Sequence, residues 1–197
     1  MLRVKEDDAG AFESLVRRYE ARLVRLMRTL GPSPDVAEDL VQETFLRVYR
    51  ARYRYEPGAK FSTWLFTIAG NVARNAARSV RRRQEVSEID APKTGDESSP
   101  QILASAAVEA SGLMPARVVE GGERAEIVRA AIGMLGERQQ MALMLSRFEN
   151  MSYAEIAETM EMSTKAVKSL LSRARVNLRE ILEPYIDKGL IPGETTP

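Results

Sequence analysis

Met151 to Leu178, MSYAEIAETMEMSTKAVKSLLSRARVNL, reads as two helices with a short break between them. Ser152 with Glu155 three residues on forms a capping box, Ile156, Ala157 and Met160 supply an apolar stripe, and Glu161-Met162-Ser163 interrupts it. Ser163 then caps a second helix. At about 100° per residue, Ala166, Val167, Leu170, Leu171, Ala174 and Leu178 fall on one arc of that helix. Lys165, Lys168, Ser169, Ser172, Arg175 and Arg179 fall opposite. Between Ser163 and Arg179 there are five basic residues and no acidic one. This is the arrangement that a helix lying in a DNA major groove requires, with long cations for phosphates and guanine edges and short serines for close approach. Two ordinary antiparallel helices with a solvated basic face would share the charge pattern. The agreement of cap, small crossing residue (Ala157), turn length and charge segregation favours a helix-turn-helix that binds DNA. The turn lacks the glycine often found there, since Glu161 occupies it.

Composition removes most chemistry. The chain has 197 residues with no Cys and no His, so thiol nucleophiles, disulfides, and the usual zinc, haem and triad sites are absent. Neither common phosphate-binding loop is present. Asp and Glu are nowhere clustered for magnesium chemistry. No apolar run approaches a membrane span, and the N-terminus MLRVKEDDAG lacks a signal-peptide hydrophobic region. The expectations are a cytoplasmic protein that is not an enzyme, with no cofactor, metal, small-molecule substrate or membrane insertion.

The formal net charge of +1 conceals segregation. Asn71 to Arg83 holds five Arg and no acid, whereas Gln84 to Glu126 holds nine acids against three cations. Periodicity predicts helices over Ala11 to Leu30, from Ser33-Pro34 to about Ala51, and from Ser62 to about Arg82. Lys93 to Pro100, KTGDESSP, has linker composition, resumed over Gly112 to Gly122, with a weak helix signal between Pro100 and Ala110. Helices over Arg124 to Leu135 and Gly136 to Phe148 precede the pair already described. The expected fold is all-α: two small helical domains, 1–83 and 123–184, joined by a flexible acidic linker, 84–122, with a tail, 185–197.

Two constellations stand out in the N-terminal domain. On the helix around Val36 to Arg50, Ala37, Leu40, Val41, Thr44, Phe45 and Val48 share a core-facing arc. The opposite arc holds Asp39, Gln42, Glu43 and one misplaced apolar residue, Leu46, the makeup of a protein-contact anchor with a polar rim or of a lone exposed leucine. The next helix aligns Thr63, Thr67, Asn71, Arg74, Arg78 and Arg81, with Trp64 and Asn75 at the edge and Tyr53, Tyr55 and Phe61 just before it. Cations and amides beside aromatics suit unstacked single-stranded DNA, although Phe61, Trp64 and Phe66 are equally suited to a core.

Four stretches, AEDLVQETFLRVYR (Ala37 to Arg50), FSTWLFTIAGNVARNAARSVRRR (Phe61 to Arg83), GERQQMALMLSRFENMSYAEIAETM (Gly136 to Met160) and STKAVKSLLSRAR (Ser163 to Arg175), occur in register. Together they resemble a bacterial RNA polymerase sigma factor of the extracytoplasmic-function group, with sigma domains 2 and 4 only. The resemblance implies that Asp39, Gln42, Glu43 and Leu46 dock on core RNA polymerase. It implies that Thr67, Asn71, Arg74, Asn75 and Arg78 read the melted minus-ten element of promoter DNA, beside a loop, Arg52 to Lys60, that receives a flipped-out base. Lys168, Ser169, Ser172 and Arg173 match contacts to the minus-thirty-five duplex, with Lys165 on the same face and Arg138 and Arg175 as phosphate contacts. Leu170 departs from the Arg of many relatives and projects inward. An anti-sigma factor is a usual partner in the group. The rival expectation is a stand-alone helix-turn-helix regulator bound to operator DNA.

Overall fold

The computed structural model describes residues 1–58, 60–90 and 121–191. The weak helix expected between Pro100 and Ala110, and most of the expected linker, lie outside them. Within the described residues all regular structure is helical: α1 (Leu2–Lys5), α2 (Ala9–Leu30), α3 (Ala37–Arg50), α4 (Phe61–Asp90), α5 (Gly121–Gly133), α6 (Glu137–Arg147), α7 (Tyr153–Thr159) and α8 (Thr164–Asp187).

Capping explains most of the boundaries. Asp8 accepts from the Ala11 N–H at 2.9 Å and starts α2 two residues earlier than apolar periodicity alone suggests. Pro34 opens a single 3-10 turn, Pro34–Val36, that leads into α3. The Gln139 side chain accepts from the Gly136 N–H at 3.2 Å, and Ser152 and Glu155 bond reciprocally across the first turn of α7. Two helices run past their expected ends. α4 continues to Asp90, so the first seven residues of the expected linker are helical. α8 passes through Pro184 to Asp187. Pro184 is exposed; it forfeits one backbone hydrogen bond on the solvent side without ending the helix. The stop is Gly189, at φ +70°, whose N–H donates to Ile186 O at 2.8 Å while Leu190 N–H donates to Tyr185 O at 2.9 Å.

The first four helices pack around Leu23, Leu26, Met27, Val48, Leu65 and Phe66, all nearly inaccessible to solvent. Helices α5 to α8 pack around Leu145, Ile156, Val167 and Leu171. These two groups belong to one continuous apolar cluster. The lobes meet where α4 lies on α7 and where α2 lies on α5 and α6. A Cβ on Gly70 of α4 would stand 2.9 Å from the Met141 Cε of α6, so a larger residue there would require the flexible end of Met141 to shift. Sequence periodicity separates the lobes. Their docking depends on side chains far apart in the chain and has no local signature.

Candidate nucleic-acid interface

Helix α8 is built as its periodicity predicts. Val167, Leu171 and Ala174 are completely buried, and Lys165, Lys168, Ser169, Ser172, Arg173 and Arg175 are exposed together on the other side. Leu170 is half-buried and packs on the core, which keeps it off the cationic face, while Ala166, placed on the apolar arc by projection, is exposed. Ser163 caps the helix by accepting from the Ala166 N–H at 3.2 Å. Ala157 is buried where α7 meets α8, and Met162, half-buried, donates its N–H to Ala157 O at 2.9 Å. Glu161 takes the left-handed conformation, φ +52°, in which glycine would be unstrained. The turn therefore forms at an energetic cost that packing of the two helices offsets. Arg138, in the first turn of α6, is also exposed.

On α4 the expected minus-ten stripe is only partly open. Asn71, Arg74, Asn75 and Arg78 are exposed, with Arg74 Nη2 donating to Asn71 Oδ1 at 2.9 Å. Thr67 is half-buried: its hydroxyl donates to Thr63 O at 2.9 Å and lies 3.4 Å from Thr159 O of α7. The aromatics divide. Phe66 and Tyr55 are buried, whereas Phe61 and Trp64 are half-buried in an edge-to-face cluster with Tyr55 and Tyr19, ring centroids 5.2 to 6.0 Å apart. Beside them is a cavity of about 370 Å³ lined by Arg54, Tyr55, Glu56, Gly58, Thr63, Trp64, Thr67 and Glu158. Among the described residues, Thr63 Oγ1 is the one buried side-chain oxygen that lacks a hydrogen-bond partner. Thr63 is one of the residues that line this cavity.

On α3, Asp39, Gln42 and Leu46 are exposed, Leu46 by 50%, and Glu43 is half-buried, accepting from Arg47 Nε at 2.6 Å. Sequence patterning missed the continuation of this patch. Tyr49 and Tyr53 are exposed, and the Arg52 guanidinium lies over both rings, 4.0 and 4.1 Å from their centroids. Asp7 fixes this stack by accepting from Arg52 Nη2 at 2.7 Å and from the Tyr53 hydroxyl at 2.9 Å. Those bonds, Arg52's foremost, hold the Asp7 carboxyl below its ordinary range, and the bond to Asp7 raises the Tyr53 hydroxyl. Spacing gives one hint, since Leu46, Tyr49 and Tyr53 stand at i, i+3 and i+7.

Among the described residues no three His, Cys, Asp or Glu side chains converge to hold a metal ion. No described helix is long and apolar enough to cross a membrane.

Known proteins share both lobes. The family model for sigma-70 region 2 matches residues 15–83, and that for sigma-70 region 4 matches residues 125–178. The chain is 34% identical over 184 residues to the ECF RNA polymerase sigma-E factor of Escherichia coli K12, covering 93% of each chain. It is 30% identical over 188 residues to the RNA polymerase sigma-H factor of Pseudomonas aeruginosa, covering 93% of this chain and 92% of that one. Among solved structures it resembles the sigma factor RpoE of Bartonella quintana, in complex with the anti-sigma factor NepR, at 26% identity and a TM-score of 0.63, covering 88% of this chain and 97% of that chain. A stand-alone operator-binding regulator has no use for the region 2 lobe, so that alternative falls away. With a region 2 lobe and a region 4 lobe in one chain, the protein belongs to the sigma-70 family of RNA polymerase sigma factors, in the extracytoplasmic-function group.

Proposed function

We propose that Asp39, Gln42, Glu43 and Leu46 on α3, extended by Tyr49 and Tyr53, seat the protein on core RNA polymerase, and that its two lobes then read two promoter elements. Leu46 is the apolar anchor and the acids and amide form the polar rim. The pre-stacked Arg52 keeps both tyrosines ordered before contact, which lowers the entropy lost on docking.

On α8, Lys165, Lys168, Ser169, Ser172, Arg173 and Arg175 face the minus-thirty-five duplex, with Arg138 on an adjacent phosphate. Bidentate contacts from Arg173 supply base discrimination and the remaining cations supply salt-dependent affinity. On α4, Thr67, Asn71, Arg74, Asn75 and Arg78 follow the melted minus-ten strand. The cavity beneath Trp64 accepts one unstacked base, and the Thr63 hydroxyl and the loop before α4 meet its polar edge.

The observation that carries this reading is the exposed amide and guanidinium stripe of α4 running directly alongside an aromatic-lined cavity. The protein itself catalyses no reaction; the polymerase does the chemistry. Polymerase and promoter place it in the cytoplasm, where an anti-sigma factor, the partner seen with RpoE of Bartonella quintana, is its expected inhibitor. The reading divides the chain into lobes 1–83 and 123–184, a tether 84–122 and a tail 185–197. The test is assembly with purified core polymerase: Leu46→Asp or Gln42→Ala weakens capture of core in a pull-down while the circular dichroism of the free protein is unchanged. Capture of core at wild-type affinity by Leu46→Asp refutes the assigned docking surface.

A further inference from the structure

Helix α1 closes with a residue that its backbone does not favour. The Asp8 N–H donates to Arg3 O at 3.1 Å and the Asp7 N–H donates to Val4 O at 3.2 Å, the paired bonds of a Schellman cap. Asp7 takes the left-handed position of that cap, φ +60°, where glycine is unstrained, as it is at Gly189. An aspartate kept there at a conformational cost points to a use for its carboxylate.

That use lies in the loop between α3 and α4, which opens with a single 3-10 turn, Arg52–Arg54. Asp7 Oδ1 accepts from Arg52 Nε at 2.9 Å and from Arg52 Nη2 at 2.7 Å, and the Tyr53 hydroxyl donates to Asp7 Oδ2 at 2.9 Å. Arg52 Nη1 donates to Tyr49 O at 3.0 Å. The Arg52 side chain is consequently only 14% exposed, although both rings against it are open to solvent.

The carboxylate is itself held in place. Val4 is buried, Met1 packs on the core, and Asp8, next in sequence, caps α2. Lys5 Nζ donates to Tyr55 O at 3.0 Å, so the segment grips the far side of the same loop. Residues 1–8 thus form a strap pinned to the core, to α2 and to the loop. An ion pair with one partner 57% exposed adds little to folding stability. What Asp7 contributes is therefore geometry.

We propose that Asp7 is a positioning residue for polymerase docking: from outside the docking helix it fixes Arg52 against Tyr49 and Tyr53, so that the surface they form with Leu46 is ordered before core polymerase arrives. This deepens the docking surface proposed for Leu46, Tyr49 and Tyr53 and rests on it. Asp7 acts through Arg52 and needs no contact with the polymerase.

Asp7→Gly suits the backbone and deletes the carboxylate, so it separates positioning from folding. In the full-length protein it weakens binding to purified core polymerase about fivefold, roughly 1 kcal/mol, while the thermal midpoint stays within about 2 °C of wild type. Asp7→Asn, which also tolerates the left-handed region and keeps one acceptor oxygen, weakens binding about twofold and serves if Asp7→Gly folds poorly. Glu6→Gln removes the same charge from the exposed neighbour and leaves binding unchanged. Arg52→Met weakens binding as much as Asp7→Gly does, and R52M/D7G is no weaker than Arg52→Met alone. With the six tyrosines replaced by 3-fluorotyrosine, the Tyr53 fluorine resonance, assigned with Tyr53→Phe, sharpens in free Asp7→Gly as the ring gains motion.

Equal losses from Asp7→Gly in the wild-type and Arg52→Met backgrounds overturn the positioning role, because Asp7 then meets the polymerase directly. Wild-type binding by Asp7→Gly where Leu46→Asp binds weakly overturns the role and leaves the docking surface standing. Weak binding by Asp7→Gly, confined to the background with Arg52, where Leu46→Asp binds normally supports the role and overturns the leucine anchor. Normal binding by both variants overturns both.

Discussion

Removing either partner of the Arg22–Glu149 pair has unequal consequences. The Glu149 side chain is 3% exposed and that of Arg22 is 33% exposed. Arg22 Nε donates to Glu149 Oε2 at 2.6 Å, a second bond comes from its Nη2, and the guanidinium lies 4.8 Å from the Tyr19 ring centroid and 5.5 Å from that of Phe66. In Arg22→Met, a nearly inaccessible carboxylate loses its ion-pair partner, which costs about 3 to 5 kcal/mol for a buried pair broken from one side. In Glu149→Gln, the guanidinium keeps its two rings and a route to water, so the loss falls to about 1 to 2 kcal/mol. A ceiling applies: once the cost exceeds the free energy of lobe docking, the lobes separate and Glu149 rehydrates. Trp64 is the only tryptophan in the chain and lies in the N-terminal lobe, so urea titrations followed by its fluorescence and by far-ultraviolet circular dichroism distinguish the outcomes. Wild-type transitions coincide, Arg22→Met separates them, and R22M/E149L restores coincidence to within about 1 kcal/mol of wild type, as apolar replacement of a buried pair often does. Equal losses for the two single variants, or a double variant no better than Arg22→Met, would falsify the reasoning.

Three further outcomes are expected. Glu161→Gly relieves left-handed strain of about 1 kcal/mol and loses roughly half of that to greater freedom of the unfolded chain, so the thermal midpoint rises by about 1 to 2 °C; a lower midpoint contradicts the turn assignment. Arg173→Ala or Ser172→Ala shifts minus-thirty-five preference in reconstituted transcription by about 1 to 3 kcal/mol for each base no longer read, and unchanged promoter choice counts against α8 as the reader. The Glu155 carboxyl is held down from its ordinary 4.5 to about 2, first by the Lys60 ion pair and then by hydrogen bonds from Ser152. Its folded value is the lower one, so its contribution is complete above about pH 4.5 and is lost as pH falls through about 2. The urea-stability gap between wild type and Glu155→Gln is therefore constant from pH 7 to about 5 and closes below; a gap independent of pH contradicts this.

The helix-turn-helix was legible because its determinants are local: Ser152 and Glu155 cap within one turn, and Val167, Leu171 and Ala174 recur at helical spacing. The exposed leucine on α3 was legible for the same reason. Pro184 is a misleading sign of the helix end because an exposed proline costs one hydrogen bond, whereas the Gly189 cap, which closes the carbonyls of Tyr185 and Ile186, terminates the helix outright. The cavity was not legible. Its walls come from the loop before α4, from α4 itself and from Glu158, about 100 residues later, and a buried Thr63 hydroxyl has no pattern that sets it apart from a core threonine. The joining of the lobes was hidden likewise, since Arg22 and Glu149 are 127 residues apart.

Run-off transcription with purified core polymerase on a promoter library randomised at both elements tests the central claim most directly. Transcripts should start from a subset of templates sharing one upstream duplex motif and one motif at the melted position, with Arg173→Ala relaxing the first and Asn71→Ala the second. Initiation at the same templates with core polymerase alone, or a template subset indifferent to both substitutions, would contradict the account.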